Sequence, residues 1–444
     1  MTTPAGGALP DGRLEQRIPD WKPLYDEAGA IAESNRCLYC ADAPCIQACP
    51  TGIDIPEFIR KIATGNKRGA ARTILSANVL GYSCSRVCPV EELCAGGCVY
   101  NHLHQPPIAI GRLQRYATEP LMAQGGFQGI LPANKPETGK KVALIGAGPA
   151  SLAAAALLRL EGHAATIFER DPFPGGLNTT GIAPYKMAAA AGLAEAQWVL
   201  DLGVQLCTGH PIVADGANVP GGVPVSALLA DYDAVFLGLG IGGDKTLDLP
   251  GSESEGVVGA TDLIARIKTD PTLSLAHVKR ALIVGGGNTG LDIGHELALL
   301  GIADVAMVYR KSEADMTGYA HELAAARKDG MRFIANRAPL AIETDGSRAT
   351  GLRVKGPDGE ETLPADLIVW AIGQDRATAL LAKEFQGVAV DAQGRVVVDK
   401  ATHRTGNPKV WAGGDCVNGG KEVVNAAAEA KIAVADMHRA LVGG

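Results

Sequence analysis

From position 140 onward the chain repeats one pattern: a short apolar run, a glycine-rich turn, then a stretch dominated by Ala and Leu. Apolar strands that alternate with helical stretches are the signature of parallel α/β domains. The first instance is Lys141-Val-Ala-Leu-Ile145, then Gly146-Ala-Gly148-Pro-Ala150-Ser151, a helix predicted over 152–160, and a strand over 165–168 that ends in Glu169. The second is Arg280-Ala-Leu-Ile-Val284, then Gly285-Gly286-Gly287-Asn288-Thr289-Gly290, a helix from about 291 to 300, and a strand over 305–309. Up to about position 123 the pattern is short and helical instead. Residues 55–62 read as a helix with Pro56 in its first turn and Gly65 beyond its end, and 69–77 as another. Residues 125–139, with Gly125-Gly126, Pro132 and Pro136, read as a linker, and 1–20 as a polar arm.

The 444 residues are 47% hydrophobic, enough for about three domains with substantial cores. A net charge of −7 offers no basic footprint for nucleic acid. The most apolar long stretch, 223–243, is broken by Asp231 and Asp233, so no membrane-spanning helix is expected. The start of the chain lacks the charged and apolar segments of a secretory signal, and a reducing cytoplasmic location is expected.

Cysteine changes the picture. Eight of the ten lie between positions 37 and 98: Cys37, Cys40, Cys45 and Cys49-Pro50, then Cys84, Cys88-Pro89, Cys94 and Cys98. Soft thiolates at short spacings, with Pro after a cysteine, suit iron–sulfur clusters, and the first run is a bacterial ferredoxin motif stretched by two residues. A disulfide framework belongs to small secreted domains. Zinc wants paired C-x2-C halves, and the second group is spaced x3, x5, x3.

Each glycine-rich unit fits a dinucleotide. Its glycines turn tightly and admit a pyrophosphate at the helix N-terminus, and Glu169 is placed to accept from a ribose hydroxyl. In the second unit the strand ends in Arg310-Lys311, which suits a 2′-phosphate and favours NADPH; the alternative is an exposed basic turn. Late in the chain, Lys409-Val-Trp-Ala-Gly413-Gly414-Asp415 fits a second contact for an extended FAD, with Asp415 on the ribitol; the alternative is a cap for a helix over 422–441.

These segments carry a family resemblance. Cys37-Leu-Tyr-Cys40-Ala-Asp-Ala-Pro-Cys45, Cys88-Pro-Val-Glu-Glu-Leu-Cys94-Ala-Gly-Gly-Cys98 and Pro107-Ile-Ala-Ile-Gly-Arg-Leu-Gln114-Arg-Tyr resemble the N-terminal half of dihydropyrimidine dehydrogenase. The chain is more similar to the separate PreT-like small subunit of the two-subunit bacterial enzyme, and more distantly similar to the small subunit of NADPH-dependent glutamate synthase. The resemblance covers nearly the whole chain. It implies two interleaved [4Fe–4S] clusters, one on Cys37, Cys40, Cys45 and Cys98, the other on Cys49, Cys88, Cys94 and Gln114, with Cys84 left as a packing residue. For FAD it implies Gly146, Gly148, Ala150, Ser151, Glu169, Gly176, Leu177, Lys186, Gly414, Asp415 and Val424. For NADPH or NADH it implies Gly286, Gly287, Asn288, Thr289, Arg310, Lys311 and Ala371-Ile372-Gly373. Lys186 stands where relatives often have Arg, and Thr317 where some place a further Arg near the 2′-phosphate.

The expected fold class is α/β with an N-terminal helical iron–sulfur domain (1–136) and two Rossmann-like nucleotide-binding domains: FAD in 137–256 and 374–444, NAD(P)H in 257–373, the second inserted in the first. The function implied is electron input. A hydride passes from NAD(P)H to FAD and electrons go singly through the clusters to a partner FMN and iron–sulfur subunit that reduces uracil or thymine. A hetero-oligomer without nucleic acid or membrane is expected, and no catalytic acid or base. The FMN barrel with the pyrimidine site, present in single-chain relatives, is not expected here. Cys207 and Cys416 are solitary, so no C-x-x-C dithiol is expected in the flavin part. The rivals are a glutamate synthase small subunit and a non-enzymatic redox scaffold.

Overall fold

A computed structural model describes residues 8–443; of the polar arm expected over 1–20, residues 1–7 lie outside the described residues. The first glycine-rich unit builds a five-stranded parallel sheet in the order Val410–Ala412, Ala234–Leu237, Lys141–Ile145, Ala164–Glu169, Gln205–Thr208. The second builds another, ordered Arg332–Ile334, Asp304–Val308, Arg280–Val284, Leu367–Trp370, Val257–Gly259, again all parallel. Every strand of the second sheet lies in sequence between two strands of the first. The strand Val410–Ala412 therefore returns to the first sheet and delivers Gly413-Gly414-Asp415 to the edge where Gly146 sits.

The inner strands of both sheets are buried on both faces, as in Lys141–Ile145, where all but the first residue are inaccessible, whereas the edge strands Gln205–Thr208, Arg332–Ile334 and Val257–Gly259 are partly exposed. Helix Val423–Val442 covers the first sheet by lying along helix Pro149–Leu160. Alanines 426, 427, 430 and 433 share one core with alanines 153 to 156, and small side chains let the two axes approach closely. A three-stranded antiparallel sheet, Ala338–Asp345, Arg348–Gly356 and Gly359–Pro364, was not anticipated, although Asp345-Gly346 and Asp358-Gly359 are hairpin-turn signals.

The N-terminal part is helical, with Glu27–Asn35, Ile55–Ala63, Lys67–Ala77, Gly81–Val87 and Ile110–Ala123. In Ile55–Ala63, Asp54 accepts from Glu57 N at 3.0 Å, a cap worth about 1 kcal/mol. Ile55, Phe58, Ile59 and Ile62 are all buried in the core, at about 2 kcal/mol each, so packing and not the cap decides that this helix forms. Beyond residue 7 the arm is docked: Leu14 and Ile18 pack on the core of the second sheet, and Glu15 Oε2 accepts from Ala189 N at 2.9 Å. The linker is packed too, with Phe127 edge-on to Trp198 at 5.2 Å. Among the described residues no helix is long and apolar enough to cross a membrane.

Candidate functional site

The strands Lys141–Ile145, Ala234–Leu237 and Val410–Ala412 end at one edge of the first sheet, each followed by a glycine. Open α/β sheets bind ligands at that edge. A cleft of about 550 Å³ opens there, lined by Gly146, Gly148, Ala150, Glu169, Gly176, Leu177, Lys186, Gly414 and Asp415. Gly146 serves the protein's own backbone: its φ is +84°, and a Cβ would meet the Gly238 carbonyl oxygen at 2.6 Å. Gly148 differs, because its φ is −77° and a Cβ would meet nothing within 4 Å. That open space, at the N-terminus of helix Pro149–Leu160, is a cradle for a pyrophosphate. Gly148→Ala is therefore expected to leave the melting temperature of flavin-free protein unchanged while weakening FAD binding roughly tenfold or more, because the methyl overpacks the filled site. The flavin-to-protein ratio after gel filtration measures this, and full retention of flavin would remove Gly148 from the site.

Glu169 is held at the strand end by Ala147 N at 2.6 Å and Asp171 N at 2.9 Å. Burial keeps its carboxyl above the ordinary carboxylate range against those two donors. Gly414, at φ +76°, is pinned by Glu429, whose Oε2 accepts from Gly414 N at 2.6 Å and whose Oε1 accepts from Asn418 Nδ2 at 3.0 Å. Asp415 is not the cap of the last helix. Glu422 takes that role, paired reciprocally with Asn425, which leaves Asp415 on the cleft wall. Ser151 lies behind the cleft, its hydroxyl donating to Ile145 O at 3.4 Å. Val424 points away from the cleft and packs on Cys84 and Cys88.

Lys186 reaches across from the first unit to the second. Its Nζ lies 2.7 Å from Asp292 Oδ1 and 2.6 Å from Glu322 Oε1. Burial opposes the charge, but the two carboxylates prevail and raise the ammonium's pKa. Burial with Asp292 alongside pushes Glu322 up to about 7. Tyr319 OH donates to Glu422 Oε1 at 2.9 Å, a second tie between the units. Sequence reasoning missed Asp292, Tyr319, Glu322 and Glu429. The available signal was an acid inside an apolar helical pattern, which by itself reads as a solvated position.

In the second unit Gly286 is covered by the Tyr309 ring, and its carbonyl accepts from Thr317 N, Thr317 Oγ1 and Gly318 N at 2.9–3.2 Å. At Gly287 a Cβ would meet only Thr317 Oγ1, at 3.7 Å. Asn288 opens helix Asn288–Leu299 and is the one residue of this fingerprint on the main cleft wall; Thr289 is exposed. Ala371-Ile372-Gly373 follows the strand Leu367–Trp370, with Gly285 packed on the Ala371 carbonyl. Arg310 and Lys311 stand exposed beyond the strand Asp304–Val308, and neither has an ion-pair partner among the described residues.

The cysteines fall into two small apolar cavities. Cys37, Cys40, Cys45 and Cys98 line one with Ile55, Ile59, Ile108 and Ile110. Cys49, Cys88, Cys94 and Gln114 line the other, together with Cys84. Gln114 Nε2 donates to Gly81 O at 2.7 Å, so the amide oxygen is the atom left for the cavity. Cys84 Sγ accepts from Asn78 Nδ2 at 3.2 Å. Burial pushes the Cys45 thiol up to about 11 and Cys94 to about 12, so these rings of sulfur become thiolate only beside a compensating cation. Among the described residues no three His, Cys, Asp or Glu converge on a single ion. The second cavity shares a wall with the main cleft: Val87 and Pro89 line the cleft and Cys88 between them the cavity, as do Val423 and Val424 respectively. Cys416 is buried and donates to Leu237 O and Gly413 O at 3.4 Å, a packing role.

Two family profiles match the chain: dihydropyrimidine dehydrogenase domain II, 4Fe-4S cluster, over residues 15–126, and pyridine nucleotide-disulphide oxidoreductase over 140–430. The NAD-dependent dihydropyrimidine dehydrogenase subunit PreT of Escherichia coli K12 is 35% identical, over 96% of this chain and 98% of its own length. The glutamate synthase [NADPH] small chain of Halomonas elongata is 33% identical, over 94% and 92%. Among solved structures, the thioredoxin reductase of T. acidophilum superposes at TM-score 0.54 with 19% identity, over 67% of this chain and 98% of its own, a likeness of fold alone. The chain belongs to the family of NAD(P)H-dependent FAD and iron–sulfur oxidoreductases that includes PreT and the glutamate synthase small chain.

Proposed function

We propose that this chain is the electron-input subunit of a dihydropyrimidine dehydrogenase, delivering electrons from NAD(P)H to a partner FMN and iron–sulfur subunit that reduces uracil or thymine. The observation that carries the reading is the wall shared by the flavin cleft and the second cysteine cavity, one residue thick at Cys88 and Val424. Bound FAD supplies hydride acceptance and one-electron release, and bound [4Fe–4S] clusters supply conduction. In this reading one cluster is held by Cys37, Cys40, Cys45 and Cys98, the other by Cys49, Cys88, Cys94 and Gln114. The chain's own part is placement. The Gly148 cradle holds the pyrophosphate, Glu169 and Asp415 accept from sugar hydroxyls, and Lys186 with Asp292 and Glu322 keeps the nicotinamide unit against the flavin unit. No side-chain acid or base exchanges a proton with substrate.

The relatives divide by name on the nucleotide, NAD for PreT and NADPH for the glutamate synthase chain. Arg310 and Lys311, without ion pairs among the described residues, support NADPH. Anaerobic addition of NADPH or NADH should bleach the flavin band and then broaden the visible absorption; holoprotein without a flavin spectrum would overturn the reading. The 33% identity to a glutamate synthase small chain keeps one rival. Co-purification decides between them: an amidotransferase as the sole partner, or uracil reduction by the isolated chain, would defeat the dehydrogenase assignment.

A further inference from the structure

A carboxylic acid lies buried between the two redox sites with no salt-bridge partner among the described residues. Glu195, on helix Ala189–Leu200, is 1% exposed and makes no salt bridge among the described residues. Its carboxylate accepts from Ser83 N at 3.0 Å and from the Ser83 hydroxyl. Ser83 belongs to helix Gly81–Val87, next to Cys84, which lines the second cysteine cavity. On the other side Asn178 Nδ2 donates to Ser83 Oγ at 3.0 Å, and Asn178 is on the flavin cleft wall with its Oδ1 buried and unpartnered. Ser83, more than 90 positions from both of the others in sequence, thus joins Asn178 to Glu195 in one chain of hydrogen bonds from the cleft to the acid, passing beside the cavity.

An isolated buried carboxylate is costly, and such groups persist in structures where their charge changes with function. The titratable and charged neighbours are few. From helix Gly81–Val87 come Tyr82, Cys84 and Arg86, and Arg86 is committed to Glu119 and to Asp20. From helix Pro149–Leu160 comes Arg159, bound to Glu137. Lys268 touches the Asn178 carbonyl at 3.5 Å but spends its ammonium on Ile182 O and Met187 O. Helix Leu177–Thr180 brings no ionisable side chain. Burial accordingly pushes Glu195 up to about 7, with the two Ser83 donors opposing.

We propose that Glu195 is a proton-coupling residue for electron transfer between the flavin cleft and the second cysteine cavity: it takes up one proton when an electron arrives beside it and releases that proton when the electron leaves. Resting on the function proposed above, the step balances with an electron from NAD(P)H and a proton from water, an O–H bond forming on the carboxylate. Asn178 and Ser83 act as positioning residues, holding the acid in register with both sites. An added electron raises the acid's pKa, so between its oxidised-state and reduced-state pKa values, near pH 7, the midpoint potential falls as pH rises. One linked proton changes the electron-transfer equilibrium by up to tenfold per pH unit in that window.

The test is a redox titration of flavin-loaded, iron-loaded holoprotein at several pH values from 6 to 8, comparing wild type with Glu195→Gln. The glutamine keeps the shape and removes the proton, so one linked proton should disappear from the pH slope, and a carboxylic C=O band in the reduced-minus-oxidised infrared spectrum should vanish. Ser83→Ala keeps the acid but deletes one bond to its carboxylate, so the break in slope should move to higher pH. Equal slopes in wild type and Glu195→Gln overturn the inference. Should Glu195→Gln not fold, an unmoved break in Ser83→Ala does the same. Absence of flavin or iron from wild-type protein would instead overturn the underlying function.

Discussion

Cys98→Ala should cost the protein roughly half its iron and one of two distinguishable cluster signals, while the other signal stays. The geometry makes the substitution informative, because Cys98 reaches the first cavity from a turn that does not depend on its sulfur. The segment is tied down by Tyr100 OH on Arg36 O at 2.6 Å and by Asn101 Nδ2 on Ala95 O and Gly96 O, both at 2.8 Å. The loop should therefore stay in place when the sulfur goes. Cys37, Cys40 and Cys45 would be left with a three-thiolate ring, and the cavity of Cys49, Cys88 and Cys94 would be untouched. Since the untouched cavity is the one that adjoins the flavin cleft, NADPH should still reduce both the flavin and the surviving cluster. Delivery to a partner should stop, because the lost site is the outer one, with Leu38 on its wall 52% exposed. Iron analysis and low-temperature electron paramagnetic resonance measure the outcome. Survival of the Cys37 cluster with loss of the Cys49 cluster would reverse the pairing. Cys84→Ala is the control and should keep the full iron content, since Cys84 is already bonded to Asn78.

Much of this site is written locally and was legible for that reason. A glycine that must turn at φ +84° or leave room above a helix terminus sits within a few residues of its strand, so Gly146, Gly148 and Glu169 could be read from one short segment. The separation of the sulfurs into two groups followed from the family resemblance, and the two cavities bring together the same residues. What escaped the sequence depends on which way a side chain turns after the chain has returned from far away. Val424 follows Val423 in an apolar helix start, and nothing in the sequence distinguishes the one that faces the cleft from the one that faces the sulfurs. Lys186 entered as a cofactor contact through the resemblance and lines the cleft, but its ion-pair partners Asp292 and Glu322 come from the other nucleotide unit, which no local motif announces. Glu195 sits in an Ala-rich helical run where an acid reads as a surface position; in the fold it is buried and bonded to Ser83, more than 100 positions away.

Arg310→Asp combined with Lys311→Ala should turn the nucleotide preference toward NADH. Both side chains are exposed at the end of the strand Asp304–Val308, past the Tyr309 ring that covers Gly286, where the adenosine ribose of a nucleotide on this fingerprint would lie. Neither cation forms an ion pair among the described residues, although Lys311 acts at longer range on Asp315; the carboxylate of Glu313 is spoken for by Arg327, at 2.8 and 2.6 Å. An exposed cation facing a phosphate contributes about 1 kcal/mol, so losing two should reduce kcat/KM for NADPH roughly thirtyfold. The new carboxylate offers the ribose 2′-hydroxyl an acceptor worth about 1 kcal/mol, a gain of roughly fivefold for NADH. The ratio of the two specificity constants should thus move by roughly a hundredfold, most of it from the lost cations. Thr317 will not offset the change, because its hydroxyl and N–H are both occupied by the Gly286 carbonyl. Arg327→Ala, which removes a basic side chain already paired, should leave the ratio where it was. Steady-state rates with an artificial electron acceptor give both constants without a partner subunit. An unchanged ratio in the double variant would make Arg310-Lys311 a solvated turn and move the source of nucleotide preference to the loop from Ser312 to Tyr319.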